Sequence, residues 1–156
     1  MKTYQSFGAL ARALERVSLK LPDSLGVAME ASAVLVEQTA KAEIGTYQTA
    51  DMGPFTEWAP LKPATVAEKR ALGYADDEND NPLLRTGEMR DSISHAYDWQ
   101  RFEFVVGSTD EIAAYQELGT SRDLPPRPFL APALYRNVPT MLKLVGGSIE
   151  STLAGK

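Results

Sequence analysis

The chain alternates between two hydrophobic periods. From Phe7 the apolar positions recur at steps of three and four (Phe7, Leu10, Leu14, Val17), with Arg12, Glu15 and Arg16 on the opposite side. That spacing, with Ser6 as cap, predicts a helix over residues 7–19. Pro22 punctuates, and Asp23 or Ser24 can cap a second, longer helix to about Ile44. Its stripe is Leu25, Met29, Ala33, Val36 and Ala40, widened by Ala28, Ala31, Leu35 and Ala42. Glu37 and Lys41 form an i,i+4 pair on its polar side, its alanines permit close approach of another element, and Gly45 ends it.

Residues 46–64 carry Gly53, Pro54, Pro60 and Pro63 among Phe55 and Trp58, which predicts a loop pinned by aromatics. Thr65 then caps a short helix to about Leu72, closed by Gly73. Asp76 to Asn81 contains no apolar residue and is expected to be a solvated, mobile loop. A calcium loop is the sharper reading, but the terminal bidentate Glu and central Gly of an EF-hand are missing. Thr86 and Gly87 open a helical turn that leads into Ile93. There the period becomes two. Ile93, His95, Tyr97 and Trp99, then Phe102, Phe104 and Val106, predict an antiparallel hairpin around Gln100-Arg101. A lone hairpin is marginal in water, so its aromatic face is expected to pack on the long helix. Thr109 or Asp110 caps a further short helix with Ile112, Tyr115 and Leu118 inward and Gly119 as its stop. After the proline-rich run 124–132, Asn137 and Pro139 suit the start of a last helix. Its stripe is Val138, Leu142, Val145, Ile149 and Leu153, weakened midway by Gly146-Gly147. The fold class expected is α+β, with long N-terminal helices on a small antiparallel sheet, short helices and a C-terminal helix. It is read as a single domain over 1–156: an N-terminal helix or arm at 1–22, a core at 23–136 and a C-terminal helix or tail at 137–156.

The chemistry available is narrow. There are no cysteines among the 156 residues, so disulfides, thiolate metal sites and cysteine nucleophiles are excluded. A single histidine, His95, rules out multi-histidine metal sites and most histidine relays. No phosphate-binding glycine loop or nucleophile elbow is present. No catalytic residue, metal or cofactor is therefore assigned. No apolar run is long enough to span a membrane, and the opening Met1-Lys2-Thr3-Tyr4 lacks a secretory apolar stretch. The formal net charge of −5 is unlike the basic surface of a protein that grips phosphates. Glu117, just before Gly119, reads either as an exposed residue near a helix end or as the partner of Arg122 or Arg127 in a salt bridge, within the chain or across subunits.

Two segments carry more than composition. One is Trp58-Ala59-Pro60-Leu61-Lys62-Pro63-Ala64-Thr65-Val66-Ala67-Glu68-Lys69, followed by Leu83-Leu84-Arg85-Thr86-Gly87 and Ser92-Ile93. The other is Glu117-Leu118-Gly119-Thr120, then Pro126-Arg127-Pro128-Phe129. In order and spacing they resemble the tail-completion, or head–tail joining, family of long-tailed bacteriophages, which is similar to the virion morphogenesis proteins of Mu-like phages. The likeness covers roughly residues 25 to 136, with the acidic stretch before Pro82 as an insert. It implies a non-enzymatic α+β subunit, assembled in the host cytoplasm into a virion ring, a hexamer. That ring would lie in the neck, between the connector and the tail tube or terminator proteins, with DNA passing the lumen without specific binding and no membrane contact.

The resemblance marks Trp58, Leu61, Thr65, Lys69, Thr86, Gly87, Glu117, Gly119, Thr120, Arg127, Pro128 and Phe129 as structural or interface positions. Prolines after Gly119 hold an arm extended at low entropy cost, which favours an inter-subunit contact. In that setting Arg127 is a polar clamp on a neighbour. Phe129 is either an anchor on that neighbour or a residue folded back on its own core. An acidic or neutral lumen suits sliding DNA. The rivals are a tail terminator or other neck ring, a small hydrolase built on Asp98, His95 and a serine, and a monomeric adaptor.

Overall fold

The computed structural model describes residues 3–155; Met1, Lys2 and Lys156, which the readings of the two chain ends include, lie outside the described residues. The architecture is α+β. A helix of 37 residues, α1 (Phe7–Glu43), lies against the C-terminal helix α5 (Leu130–Ala154) on one side and against a two-stranded sheet on the other. Between them come α2 (Pro63–Ala71), the single turn α3 (Glu88–Asp91), strands β1 (Ile93–Asp98) and β2 (Glu103–Ser108), and α4 (Glu111–Leu118).

The first correction concerns Pro22, which lies inside α1 rather than between two helices. A proline there removes one backbone hydrogen bond and crowds the preceding turn, at a cost of roughly 3 kcal/mol. Packing beyond it outweighs this. Ser24, expected as a cap, instead places its Oγ 2.8 Å from Ser148 Oγ of α5. Gly26 lies under the Trp99 ring so closely that a Cβ would stand 1.9 Å from Cζ3. Ser6 does cap the helix, its Oγ accepting from Ala9 N at 3.2 Å.

The hairpin forms as expected. β1 and β2 are antiparallel, with Ile93 opposite Ser108 and Asp98 opposite Glu103. The turn is held by Asp98 Oδ1, which accepts from Gln100 N and Arg101 N. The face that carries Ile93, His95 and Tyr97 packs on α1, where His95 Nδ1 meets Glu37 Oε2 at 2.5 Å. Lys41 pairs with the other oxygen of Glu37, and these two hydrogen bonds, Lys41 first, hold that carboxyl below its ordinary range. Asp98 lies on the opposite face of the strand from His95, so the hydrolase grouping of those two residues is not assembled.

Three helix boundaries or faces differ from expectation. Thr65 does not cap α2: the helix starts at Pro63, and Thr65 lies in its first turn. α4 turns Ile112, Tyr115 and Leu118 outward and buries Ala113, with Gln116 and Glu117 half-buried. α5 begins at Leu130, ahead of Asn137 and Pro139. Asn137 is instead buried, its amide donating to Thr39 Oγ1 and to Ala133 O, each at 2.8 Å.

The expected stripe of α5 also faces the wrong way. Val138, Leu142, Ile149 and Leu153 are exposed, and Leu142 keeps 69% of its surface. The face turned to α1 carries Ala133, Asn137, Ser148 and Thr152. The opposing row of α1 is mostly small, Ser24, Ala28, Ser32 and Thr39, with half-buried Leu35 among them. Small residues on both sides allow close approach; Leu130 and Met141 of α5 pack on the core, while Val138, Leu142, Ile149 and Leu153 are left outside. The core proper joins Val36, Ala40 and Ile44 to Trp58, Met89, Ile93, Ala113, Phe129 and Ala133.

Candidate functional site: the clamp between the Trp58 loop and the proline arm

The two motif-bearing segments meet. Trp58 is buried, and its indole Nε1–H donates to Pro128 O at 3.1 Å. One residue before Pro128, the Arg127 guanidinium donates to Ala59 O at 2.9 Å from Nη2 and 3.2 Å from Nε, and to Pro60 O at 3.4 Å. Its backbone N–H donates to Gln116 O. Arg127 is only 4% exposed, and desolvation pulls its pKa below the ordinary arginine value. A buried cation is tolerated here because its donors face carbonyls that have no other way to leave water. The loop is further fixed where Leu61 N donates to Tyr47 Oη, and at the rim Lys62 pairs with Asp123 at 3.4 Å.

Glu117 closes the arrangement from below. Its Oε2 accepts from Phe129 N at 2.7 Å and Leu130 N at 3.0 Å, and its Oε1 accepts from Ala131 N at 3.0 Å. These amides open α5, which has no local side-chain cap. A carboxylate there satisfies otherwise unpaired N–H groups and complements the helix dipole. Within the chain neither sequence reading of Glu117 holds: it is half-buried, and it bonds the α5 amides rather than Arg122 or Arg127. Gly119 makes this possible. With φ 73° and ψ 178° it occupies a region open only to glycine, and a Cβ would stand 2.8 Å from Leu124 O. Thr120 N then bonds Leu124 O at 3.0 Å to close the bend.

Phe129 has no exposed surface and lies in the chain's own core. Arg127 is likewise engaged within the chain, so neither stands free on this subunit to grip a neighbour. The arm after Gly119 is an internal clamp.

The remaining motif positions gather around one cleft of about 590 Å³, lined by Leu61, Thr65, Lys69, Thr86, Gly87 and Arg127 among others. Gly87 starts α3 with a φ of 92°, and Thr86 Oγ1 accepts from Glu88 N. Lys69 is buried, and its ammonium donates to Asp80 O at 2.7 Å and to Asn81 O. Burial lowers its pKa, while Asp80 acts in the opposite direction. Arg70 Nε also holds Asp76 O at 2.8 Å. The acidic stretch is therefore strapped by cations of α2, although Asp76 to Asn79 remain exposed as expected.

Sequence reasoning passed over a second group, at the C-terminal end of α1. Glu43 lines a cleft of about 500 Å³ with Gln48, Trp58 and Arg136, its carboxylate oxygens buried in the wall. Only its place in the α1 pattern, three residues after buried Ala40 and one before buried Ile44, signals a carboxylate on the apolar face. Among the described residues no group of three or more histidine, cysteine or acidic side chains is arranged to hold a metal ion, and no helix is long and apolar enough to cross a membrane. The chain matches no family model, no curated protein and no solved structure.

Proposed function

We propose that the chain is a structural virion subunit, a tail-completion or head–tail joining ring protein at the neck of a long-tailed phage. In this reading a hexameric ring links the connector to the tail tube around the DNA channel. The resemblance of the motif segments names the family. The observation that carries the assembly role is the apolar surface left bare on the two long helices. Phe7 is 91% exposed and Leu14, on the same face of α1, 58%, and Leu142 and Leu153 share a face of α5. Scattered apolar residues are ordinary on a surface, but aligned rows on helices mark contacts with other proteins.

The internal clamp supports the same reading. It stiffens the loops on one side of the molecule without using a free reactive group, as a ring subunit under load requires. The working contacts then lie on α1 and α5 rather than on the arm after Gly119. The net charge of −5 is compatible with a lumen that does not hold DNA.

In vitro complementation tests the proposal. Particles made without this chain are expected to accumulate as filled heads and separate tails, and adding the purified chain should join them. Normal infectious particles formed in its absence would contradict the neck role. A tail terminator differs in outcome, because its loss leaves tails of irregular length.

A further inference from the structure

The cleft at the end of α1 is a different feature from the assembly surface, and its chemistry points elsewhere. Both carboxylate oxygens of Glu43 and Oε1 of Gln48 are buried and accept no hydrogen bond. The Glu43 side chain is only 10% exposed. The cation beside it, Arg136, stands 3.5 Å from Oε1 through Nη1, beyond hydrogen-bonding geometry, and is itself 49% exposed. Gln48 cannot turn to help, since its Nε2 is engaged with Thr56 O at 2.7 Å. The orphaned groups in the cleft are thus all acceptors, and a buried unpaired acceptor costs about 1–3 kcal/mol, more when charged. Apolar walls from Leu35, Ala42 and Trp58 accompany them.

A complementary occupant has several N–H donors, a positive charge and an apolar stem. We propose that this cleft is a binding site for an alkylguanidinium or alkylammonium group, received by the Glu43 carboxylate and the Gln48 carbonyl with its stem along Trp58. The group is the end of an arginine or lysine side chain from another polypeptide, or a free alkylamine. Arg136 is then the competing internal cation, poised at the rim.

The charged groups facing Glu43 are Arg136 of α5, which favours its ionised form, and Glu117 of α4, which opposes it; Tyr47 is the other titratable group in the wall. Desolvation dominates and pushes the Glu43 pKa up to about 7. Cation binding should therefore be strongest above neutrality and fade as the carboxyl gains its proton.

The test is a titration of isotope-labelled chain with n-butylguanidinium, following the Trp58 indole and the amides around Glu43 by NMR. At about pH 8 a saturable shift is expected, with a dissociation constant on the order of 1 mM. Neutral n-butylurea should give at least a tenfold weaker response. Glu43→Gln should abolish the preference for the cation, and Arg136→Ala should tighten binding several-fold by removing the competitor. Should Glu43→Gln misfold, the wild-type chain at about pH 5 provides the same comparison, because its carboxyl is then neutral. Equal response to the urea and the guanidinium, or undiminished binding by folded Glu43→Gln, would overturn the proposal. An acetylated, amidated Gly-Arg-Gly peptide separates the sources. Binding at least as tight as butylguanidinium identifies a polypeptide side chain, and binding of the free cation alone identifies a small amine. These results do not depend on the neck reading, which fails or stands on the complementation assay.

Discussion

The two ends of α1 are built for different surroundings. From Gly26 onward the helix buries one side, with Ala33, Val36 and Ala40 nearly or fully buried, while Val27, Glu30 and Gln38 stay exposed. Before Gly26 no residue of the helix is buried. α5 runs antiparallel to α1, with Asn137 beside Thr39 and Ser148 beside Ser24, so it ends before the first turns of α1 are covered. A segment of that length is marginal as an isolated helix in water. The enclosed half is stabilised by its own fold. In the other half Leu10, Val17 and Leu21 are half-buried, but Phe7, Leu14 and Leu19 stay exposed among the described residues, as on a surface completed by assembly.

The strongest way to break this contrast is to truncate one side chain on each side of it. Phe129→Ala empties the enclosed core and should cost about 3–5 kcal/mol in chemical denaturation. Phe7→Ala should leave the stability of the isolated chain within about 0.5 kcal/mol. A comparable loss at Phe7 would show that the bare half is covered after all.

Next in size is the pH dependence of the enclosed half. The unfolded chain releases the Glu43 proton near 4.5, while the folded protein holds it to about 7. The folded state therefore binds more protons in that window, so stability should fall as pH rises from about 4.5 to 7 and then level off, by at most about 3 kcal/mol. Glu43→Gln should flatten this slope and be more stable than wild type at about pH 8. Denaturation midpoints across the window decide it. A cleft whose occupant supplies donors has reason to keep a carboxylate that costs stability.

Glu117→Ala should follow, at about 1–2 kcal/mol, with amide exchange accelerating at Phe129 to Ala131 rather than throughout α5. Uniform acceleration would mean that the carboxylate supports the core and not the helix start. The smallest effect on the isolated chain is expected from Leu142→Asp, within about 0.5 kcal/mol. Head–tail joining by this variant in the complementation assay should nevertheless be lost.

The parts legible in the sequence were those set by neighbours along the chain. The period of two from Ile93 to Val106 forms the hairpin. Ser6 and Asp110 cap their helices through amides two or three residues away. The parts misread were set at a distance. Pro22 is a local breaker overruled by Ser148 and Trp99. The start of α5 is capped from Glu117, which no local rule connects to Leu130. The stripe of α5 has the right period but the opposite orientation, because Ala133, Asn137, Ser148 and Thr152, small or polar, meet α1 in its place. Within the motif segments, Trp58, Gly119 and Phe129 could be singled out, yet the bond from Trp58 to Pro128 and the burial of Arg127 needed the tertiary structure. Glu43 escaped notice because a single acidic residue in a helix ordinarily faces solvent.

Electron microscopy of the intact particle tests the assembly claim most directly. A closed ring of this chain between connector and tail tube is expected. In it the exposed rows of α1 before Gly26 and of α5 from Val138 to Leu153 should be covered by neighbouring subunits. A ring in which those rows face solvent while the arm after Gly119 makes the contacts, or a neck that lacks the chain, would contradict it.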